Sequence, residues 1–296
     1  MNEIFRNFAV LFFVTGMMVF TSCAKKNQNE TVTAEGTASS QNPVYAAASS
    51  SGSGNEKTVG KELSVQDPWA GIFRKAGLPD SLAEKILSHL QEGPDFTMEL
   101  LFLMEMDPYL YRLVDKQHSL DSGYVPDDLE DLENGSYRVT RQGLTLRRAA
   151  ANSLKTMAVA ALRDGVTLTA ASAFRTYAYQ ADVYSRNVRE MGQQAADRES
   201  ARPGHSQHQL GLVVDFNPID DTFAETAAGR WLTQNAARYG WSLSFPQGYE
   251  EVTGYRWESW HYRYLGPLLA DFTEKYFDGI QQYALMFIDA WRDASG

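Results

Sequence analysis

The residue types able to do chemistry gather in two short stretches. In Ser206-Gln207-His208-Gln209-Leu210-Gly211-Leu212-Val213-Val214-Asp215 an imidazole is followed, seven residues on, by a carboxylate that closes an apolar run. Leu212 to Phe216 has the length and the β-branched content of a buried strand. On it Gly211, Val213 and Asp215 share one face, and Leu212, Val214 and Phe216 point the other way. A carboxylate within such a strand needs a partner, because burying it unpaired is costly. A divalent zinc ion is one such partner, and imidazole plus carboxylate is a usual part of its ligand set. An Asp held by backbone N–H groups, with the His at the surface, would leave the same trace. The second stretch, Glu258-Ser259-Trp260-His261-Tyr262-Arg263-Tyr264, adds another His with a carboxylate three residues before it. His208, Asp215 and His261 then supply three ligands and leave a place for water, the layout of a catalytic zinc. Glu258 is free to act as general base on that water, whose pKa the metal lowers toward 7. Residues three apart on a regular strand face opposite ways, so the backbone must turn or bulge between Glu258 and His261. His205 is a rival ligand by residue type alone.

Elements around these stretches must hold them in place. Leu146 to Arg163 predicts a helix with Leu146, Ala150, Leu154, Met157, Ala161 and Leu162 on one side and Gly165 just past its end. Val166 to Phe174 reads as a strand. Arg175 to Gln180 turns into a further helix with Val183 and Tyr184 inward. Thr226 to Tyr239 reads as a helix closed by Gly240, and Trp241 to Phe245 as a strand. Upstream, Pro79-Asp80 starts a helix with Leu82, Ile86, Leu87 and Leu90 at helical spacing, and a second runs from Phe96 to Met104. Asp121 to Glu133, rich in acids and containing Pro126, reads as a solvated loop. Tyr276 to Trp291 carries an aromatic stripe that predicts a helix packed on the sheet. Helices and mostly antiparallel strands in this order give an α+β class: a small, mostly antiparallel sheet flanked by helices.

The 296 residues suffice for one or two domains, and a hydrophobic content of 44% is that of a globular body. A net charge of −10 argues against a nucleic-acid partner, which would want a basic face. Arg6 followed by an apolar run from Phe8 to Phe20 is too short to span a bilayer and reads as an export signal over residues 1–22. Phe20-Thr21-Ser22-Cys23 leads into the single cysteine, so no intrachain disulfide forms. It resembles a bacterial lipoprotein signal, which implies cleavage before Cys23, lipidation of Cys23 and an extracytoplasmic, membrane-anchored protein. A plain secretory signal or an uncleaved anchor is the alternative. Residues 23–66, centred on Ser49-Ser50-Ser51-Gly52-Ser53-Gly54, read as a disordered tether with a root-mean-square span of roughly 35 Å. The order is thus a signal (1–22), a tether (23–66), a helical prelude (67–110) and a catalytic domain with its C-terminal helix (111–296).

From about Leu113 to Gly266 the sequence resembles the VanY-type zinc D-alanyl-D-alanine and L,D-carboxypeptidases. That family's Ser-x-His-x-x-Gly-x-Ala-x-Asp motif is met by Ser206, His208, Gly211 and Asp215. Its Glu-x-Trp-His motif is met by Glu258, Trp260 and His261, with Tyr262 following. A third motif is met by Ser172, Phe174, Arg175, Thr176 and Gln180. The resemblance implies a zinc D,D-peptidase or hedgehog-like fold, zinc on His208, Asp215 and His261, and Glu258 as base. It also implies that Arg175 faces the scissile carbonyl or the terminal carboxylate, with Gln180 and Ser206 as hydrogen-bond partners of the substrate's last residue. The implied substrate is a peptidoglycan stem peptide losing its C-terminal D-alanine, by D,D- or by L,D-cleavage. A non-catalytic, zinc-stabilised wall-binding lipoprotein is the reading from another class. Val213 stands where the family has Ala, and is expected to narrow the pocket or press on a neighbour.

Overall fold

The computed structural model describes residues 68–295, and these belong to one compact unit. The export signal, Cys23 and the tether lie outside the described residues. No helix among those described is long and apolar enough to cross a membrane.

The described residues open with helices α1 (Pro68–Lys75), α2 (Asp80–Glu92) and α3 (Asp95–Met104). Strands β1 (Leu129–Asp131), β2 (Arg138–Val139) and β3 (Thr145–Arg147) follow, then helix α4 (Arg148–Arg163) and strand β4 (Thr169–Ser172). Helices α5 (Tyr177–Met191) and α6 (Gln193–Glu199) lead to a 3₁₀ turn at Gln207–Leu210 and to β5 (Val213–Phe216). Helix α7 (Ala227–Asn235), β6 (Trp241–Leu243), the short α8 (Glu250–Thr253) and β7 (His261–Tyr264) come next. Helices α9 (Pro267–Tyr276) and α10 (Gln281–Ser295) complete the order.

The main sheet runs β2-β4-β5-β7-β6, with β2 parallel to β4 and every other pair antiparallel. This is the small, mostly antiparallel sheet of an α+β fold. Leu212, Val214 and Phe216 point into its core with Ala150, Leu154, Met157 and Ala161 of α4, as the strand and helix periodicities require. Helix α4 begins two residues later than expected, because Leu146 pairs in β3 opposite Glu130; Leu162 faces solvent at 44% exposure. Part of the expected acidic loop is ordered too. Leu129–Asp131 is a strand, Leu132 is buried, and Asp128 receives the Arg147 guanidinium at 2.6 Å.

A second core joins both ends of the described chain. Phe73, Ile86, Phe96 and Leu100 from α1–α3 pack with Phe272, Tyr276, Leu285 and Phe287 from α9 and α10. The aromatic stripe therefore covers the helical prelude and not the sheet. It is also broken into two helices, because Asp278 and Gly279 take left-handed φ values of 52° and 75° between them. Helix α1 escaped the sequence reading; its Trp69 stacks on Phe73 and Phe287, with centroids 6.2 and 6.3 Å apart. Arg263, fully buried in β7, donates to the carbonyls of Leu110 and Arg112 at 3.1 and 2.8 Å. It ties the segment after α3 to the sheet.

Candidate metal centre

Three local devices deliver the chemical groups. Ser206 Oγ accepts the His208 N–H at 3.3 Å, capping the 3₁₀ turn that carries His208. Gly211 ends that turn at φ 71°, a conformation costly for other residues. A Cβ there would also meet Leu129 and Pro126 at 3.1 Å. The chain thus reverses into β5, the middle strand, where Asp215 lies opposite both Ser172 of β4 and His261 of β7. On the far side Ser259 and Trp260 form a turn, with His261 N–H reaching Glu258 O at 3.4 Å. This is the turn that a carboxylate and an imidazole three apart needed. The Glu258 N–H is anchored on Phe245 O at 3.0 Å.

His208, Asp215 and His261 are all buried, and a ligand atom from each lies within 4.8 Å of the others. His208 Nε2 is 3.1 Å from Asp215 Oδ2, and His261 Nδ1 is 3.0 Å from Asp215 Oδ1. Donor atoms held tetrahedrally at zinc distances lie about 3.3 Å apart, so the spacing suits that ion. His208 Nδ1 faces the Ala173 carbonyl at 2.6 Å; donating its proton there leaves Nε2 bare toward the centre, the usual support of a metal-ligating His. His261 is placed by packing instead. Phe245 lies 4.7 Å from it, His208 stands perpendicular at 4.9 Å, and its Nε2 is buried without a partner. Asp215 Oδ1 also lacks a hydrogen bond, although His261 Nδ1 is near, because the approach is off line. A buried carboxylate oxygen without a hydrogen bond, 3.0 Å from the Nδ1 of a buried imidazole, is what a cation held by both would satisfy. Glu258 Oε2 stands 3.3 Å from His261 Nδ1, beside the cluster.

The electrostatics ask for positive charge. Burial works against Asp215 ionising, yet His208 and His261 hold its carboxyl well below the usual range. Burial also works against a charged His261, but Asp215 and Glu258 raise it to about 9. Burial, helped by the neighbouring Arg175 charge, drops His208 to about 4, so this ring is neutral as a ligand must be. Glu258 is pushed above its ordinary value, chiefly by burial, as suits a proton acceptor.

A cleft of about 240 Å³ opens on these groups, lined also by Arg175, Gln180, His205, Ser206 and Trp260. Arg175 sits in the cleft but gives Nη2 to Asp215 Oδ2 at 2.8 Å, and both Nε and Nη2 to Ser172 Oγ at 3.0 and 2.8 Å. It is thus the charge partner of Asp215, a contact the sequence did not announce. Gln180, expected as a substrate partner, lines the cleft and also bonds to the protein. Its Oε1 accepts from Arg175 at 3.5 Å and its Nε2 donates to Ala201 O at 2.7 Å, so it braces Arg175. His205 stays outside the cluster, with Nδ1 on the Asp115 carbonyl at 2.8 Å. Val213 is buried opposite Arg263, and the cleft is lined without it. The Ala173 carbonyl and Phe245 had no sequence signal, since a backbone oxygen carries no residue code.

An imidazole on a 3₁₀ turn, a carboxylate and a second imidazole on two adjoining strands, and Glu258 beside them define a mononuclear metallohydrolase type of centre on an α+β scaffold. Residues 143–267 match the family described as VanY: D-alanyl-D-alanine carboxypeptidase. The YodJ protein of Bacillus subtilis (strain 168) is 36% identical over 185 residues, covering 57% of this chain and 67% of that protein. The LD-carboxypeptidase LdcB, a solved structure, is 32% identical with a TM-score of 0.51, covering 57% of this chain and 85% of that one. The vancomycin-resistance D,D-pentapeptidase VanY, solved as a mutant with Zn(II), is 33% identical with a TM-score of 0.49, covering 58% and 96%. The chain spans between 52% and 67% of the curated relatives it matches. It belongs to the VanY carboxypeptidase family.

Proposed function

We propose that this chain is a zinc-dependent carboxypeptidase that removes the C-terminal D-alanine from peptidoglycan stem peptides. The observation that carries the reading is the buried His208–Asp215–His261 cluster with Glu258 beside it at the head of a cleft. Zinc in that cluster supplies Lewis acidity, acidifying water and polarising a carbonyl. His208 offers Nε2 because Ala173 O takes the proton on its other nitrogen, and Asp215 stays anionic beside Arg175. Glu258, desolvated and raised, accepts the proton of the attacking water and returns it to the departing amine. Arg175 lines the cleft, where a permanently charged donor suits the developing oxyanion or the terminal carboxylate. Ser206, placed by its cap, lines the same wall.

A second reading, L,D-cleavage of tetrapeptide stems, is favoured by the likeness to LdcB. Incubating the purified protein with pentapeptide and tetrapeptide stems, with and without chelator, and measuring released D-alanine decides. Release from the pentapeptide alone, abolished by chelator and restored by zinc, supports D,D-cleavage; release from the tetrapeptide alone supports L,D-cleavage. No release from either refutes both. We also propose export and lipid anchoring at Cys23, which would hold the enzyme beside its wall substrate. Support for that comes from Arg6, the Phe8–Phe20 run and Cys23 in the sequence. Globomycin-sensitive processing and radiolabelled palmitate on the full chain, lost in Cys23→Ala, would test it.

A further inference from the structure

Gln207 stands next to His208 on the turn that carries it, and lines the cleft. Its Oε1 accepts a hydrogen bond from Ser244 Oγ at 2.8 Å. Ser244 Oγ in turn accepts from Gln281 Nε2 at 3.1 Å, and the same Nε2 donates to Ser242 O at 3.1 Å. All three side chains are buried. A hydroxyl has one proton. With the Gln281 amide donating to its oxygen, Ser244 spends that proton on Gln207 Oε1, which turns the Gln207 NH₂ away from Ser244. That Nε2 has no protein partner. Unlike the sealed, unpartnered Oε1 atoms of Gln209 and Gln281, it is reached by solvent from the cleft. The Ser244 N–H also donates to His261 O at 3.1 Å, so the residue that aims Gln207 is bonded to the strand bearing the second imidazole. Gln281 belongs to α10, beyond the residues 143–267 that match the family.

We infer that Gln207 donates a hydrogen bond to the terminal carboxylate of the bound peptide, and that the C-terminal helix fixes its amide for this through Gln281 and Ser244. The inference rests on the carboxypeptidase reading. A carboxylate taken into the cleft must replace several water contacts, since a desolvated anion left short of donors is costly. Arg175 has already given Nε and Nη2 to Ser172 and Asp215, and its Nη1 reaches Gln180 Oε1 at 3.5 Å. A further donor is needed on the same wall, and Gln207 supplies it.

The test uses the zinc-loaded full chain and three variants: Gln207→Leu, Gln207→Glu and Gln281→Met. On a pentapeptide stem, Gln207→Leu is expected to raise KM about 10–100-fold, the worth of a hydrogen bond to a charged group, with kcat within a few-fold and zinc content unchanged. Gln207→Glu keeps the acceptor for Ser244 and puts a negative charge where the donor was, so it loses at least as much. Gln281→Met shifts KM in the same direction by less. The double variant is no worse than Gln207→Leu alone, because both act through one amide. In parallel, equilibrium binding of D-Ala-D-Ala and of its C-terminal amide reads carboxylate recognition without turnover. The wild type prefers the free acid, and Gln207→Leu loses that preference while the protein stays folded at the assay temperature, with Gln207→Glu, which keeps the acceptor for Ser244, as the control for stability. Unchanged acid-over-amide preference in both Gln207 variants, or independent multiplication of the Gln207 and Gln281 effects, overturns the inference. If the wild type releases no D-alanine from any stem, the carboxypeptidase reading falls by itself, and the dipeptide-binding arm still decides the role of Gln207.

Discussion

Replacing Asp215 by Asn tests the centre at its most connected atom pair. Asp215 is 2% exposed and lies 2.8 Å from Arg175, 3.1 Å from His208 and 3.0 Å from His261. The amide is nearly isosteric, so packing is kept while the charge is lost. Breaking a buried pair on one side costs about 3–5 kcal/mol. Because Arg175 keeps some water contact, the metal-free variant should lose about 3 kcal/mol, which for a domain of this size is roughly 6–12 °C in Tm. The effect depends on pH with a definite sign. The Asp215 carboxyl is held well below its ordinary value, so its contribution is present above an unfolded pKa near 4 and is lost as pH falls. His261 is raised to about 9, so its contribution is full below an unfolded value near 6.5 and disappears as pH rises through 9. The gap between wild type and variant is therefore widest between about pH 4 and 6.5 and narrows on both sides. Zinc adds a second reading. At a free concentration 1,000 times Kd it stabilises the wild type by about 4 kcal/mol, and the variant by far less. Thermal melts of apo and zinc-loaded protein across pH, with metal analysis, measure all of this. An apo Tm within a degree of wild type, together with stoichiometric zinc retention, would refute the assignment of Asp215 as ligand and charge hub.

Glu258→Gln should keep one zinc per chain yet lower kcat by about 10²–10⁴, the usual loss of a general base, seen by metal analysis beside D-alanine release. Gly211→Ala must adopt a φ of 71° and press on Leu129 and Pro126, so it should cost about 1–3 kcal/mol in urea unfolding. Phe287→Ala empties the centre of the second core, where Phe73, Phe96 and Phe277 meet it within 6.0 Å, and should cost about 3–5 kcal/mol. Its KM measured well below Tm should stay that of the wild type.

The metal cluster was legible in the sequence because ligand chemistry is written in residue types. His, Asp and a Glu three before a second His announce themselves, and the β5 alternation correctly set Asp215 apart from Leu212, Val214 and Phe216. What the residues could not disclose was partnership. The stripe from Tyr276 to Trp291 reports that one face is buried but not by what, and its cover proved to be α1–α3. Asp121 to Glu133 looked solvated because its acids dominate, while Leu129–Asp131 pairs through backbone groups that composition does not register. Arg175 and Gln180 occupy the expected positions, but their hydrogen bonds to Asp215 and Ala201 depend on chain segments far apart in sequence. Gln207 gave no signal at all, since an amide is unremarkable until its orientation is fixed from outside.

The seam between the first and last described helices governs the order of assembly. Lys75 and Asp293, 218 residues apart, are ion-paired at 2.7 Å, and Phe73 meets Phe287 nearby. A nascent chain that has emerged only as far as Gly266 already holds both imidazoles and both carboxylates of the reaction, yet it lacks Phe272, Tyr276, Leu285 and Phe287, the main apolar cover of α1–α3. Loops of this length close slowly, and until they do such surfaces invite aggregation. Closure of this core therefore waits on α9 and α10, and a chain stopped at Gly266 leaves the apolar side of α1–α3 open to proteolysis.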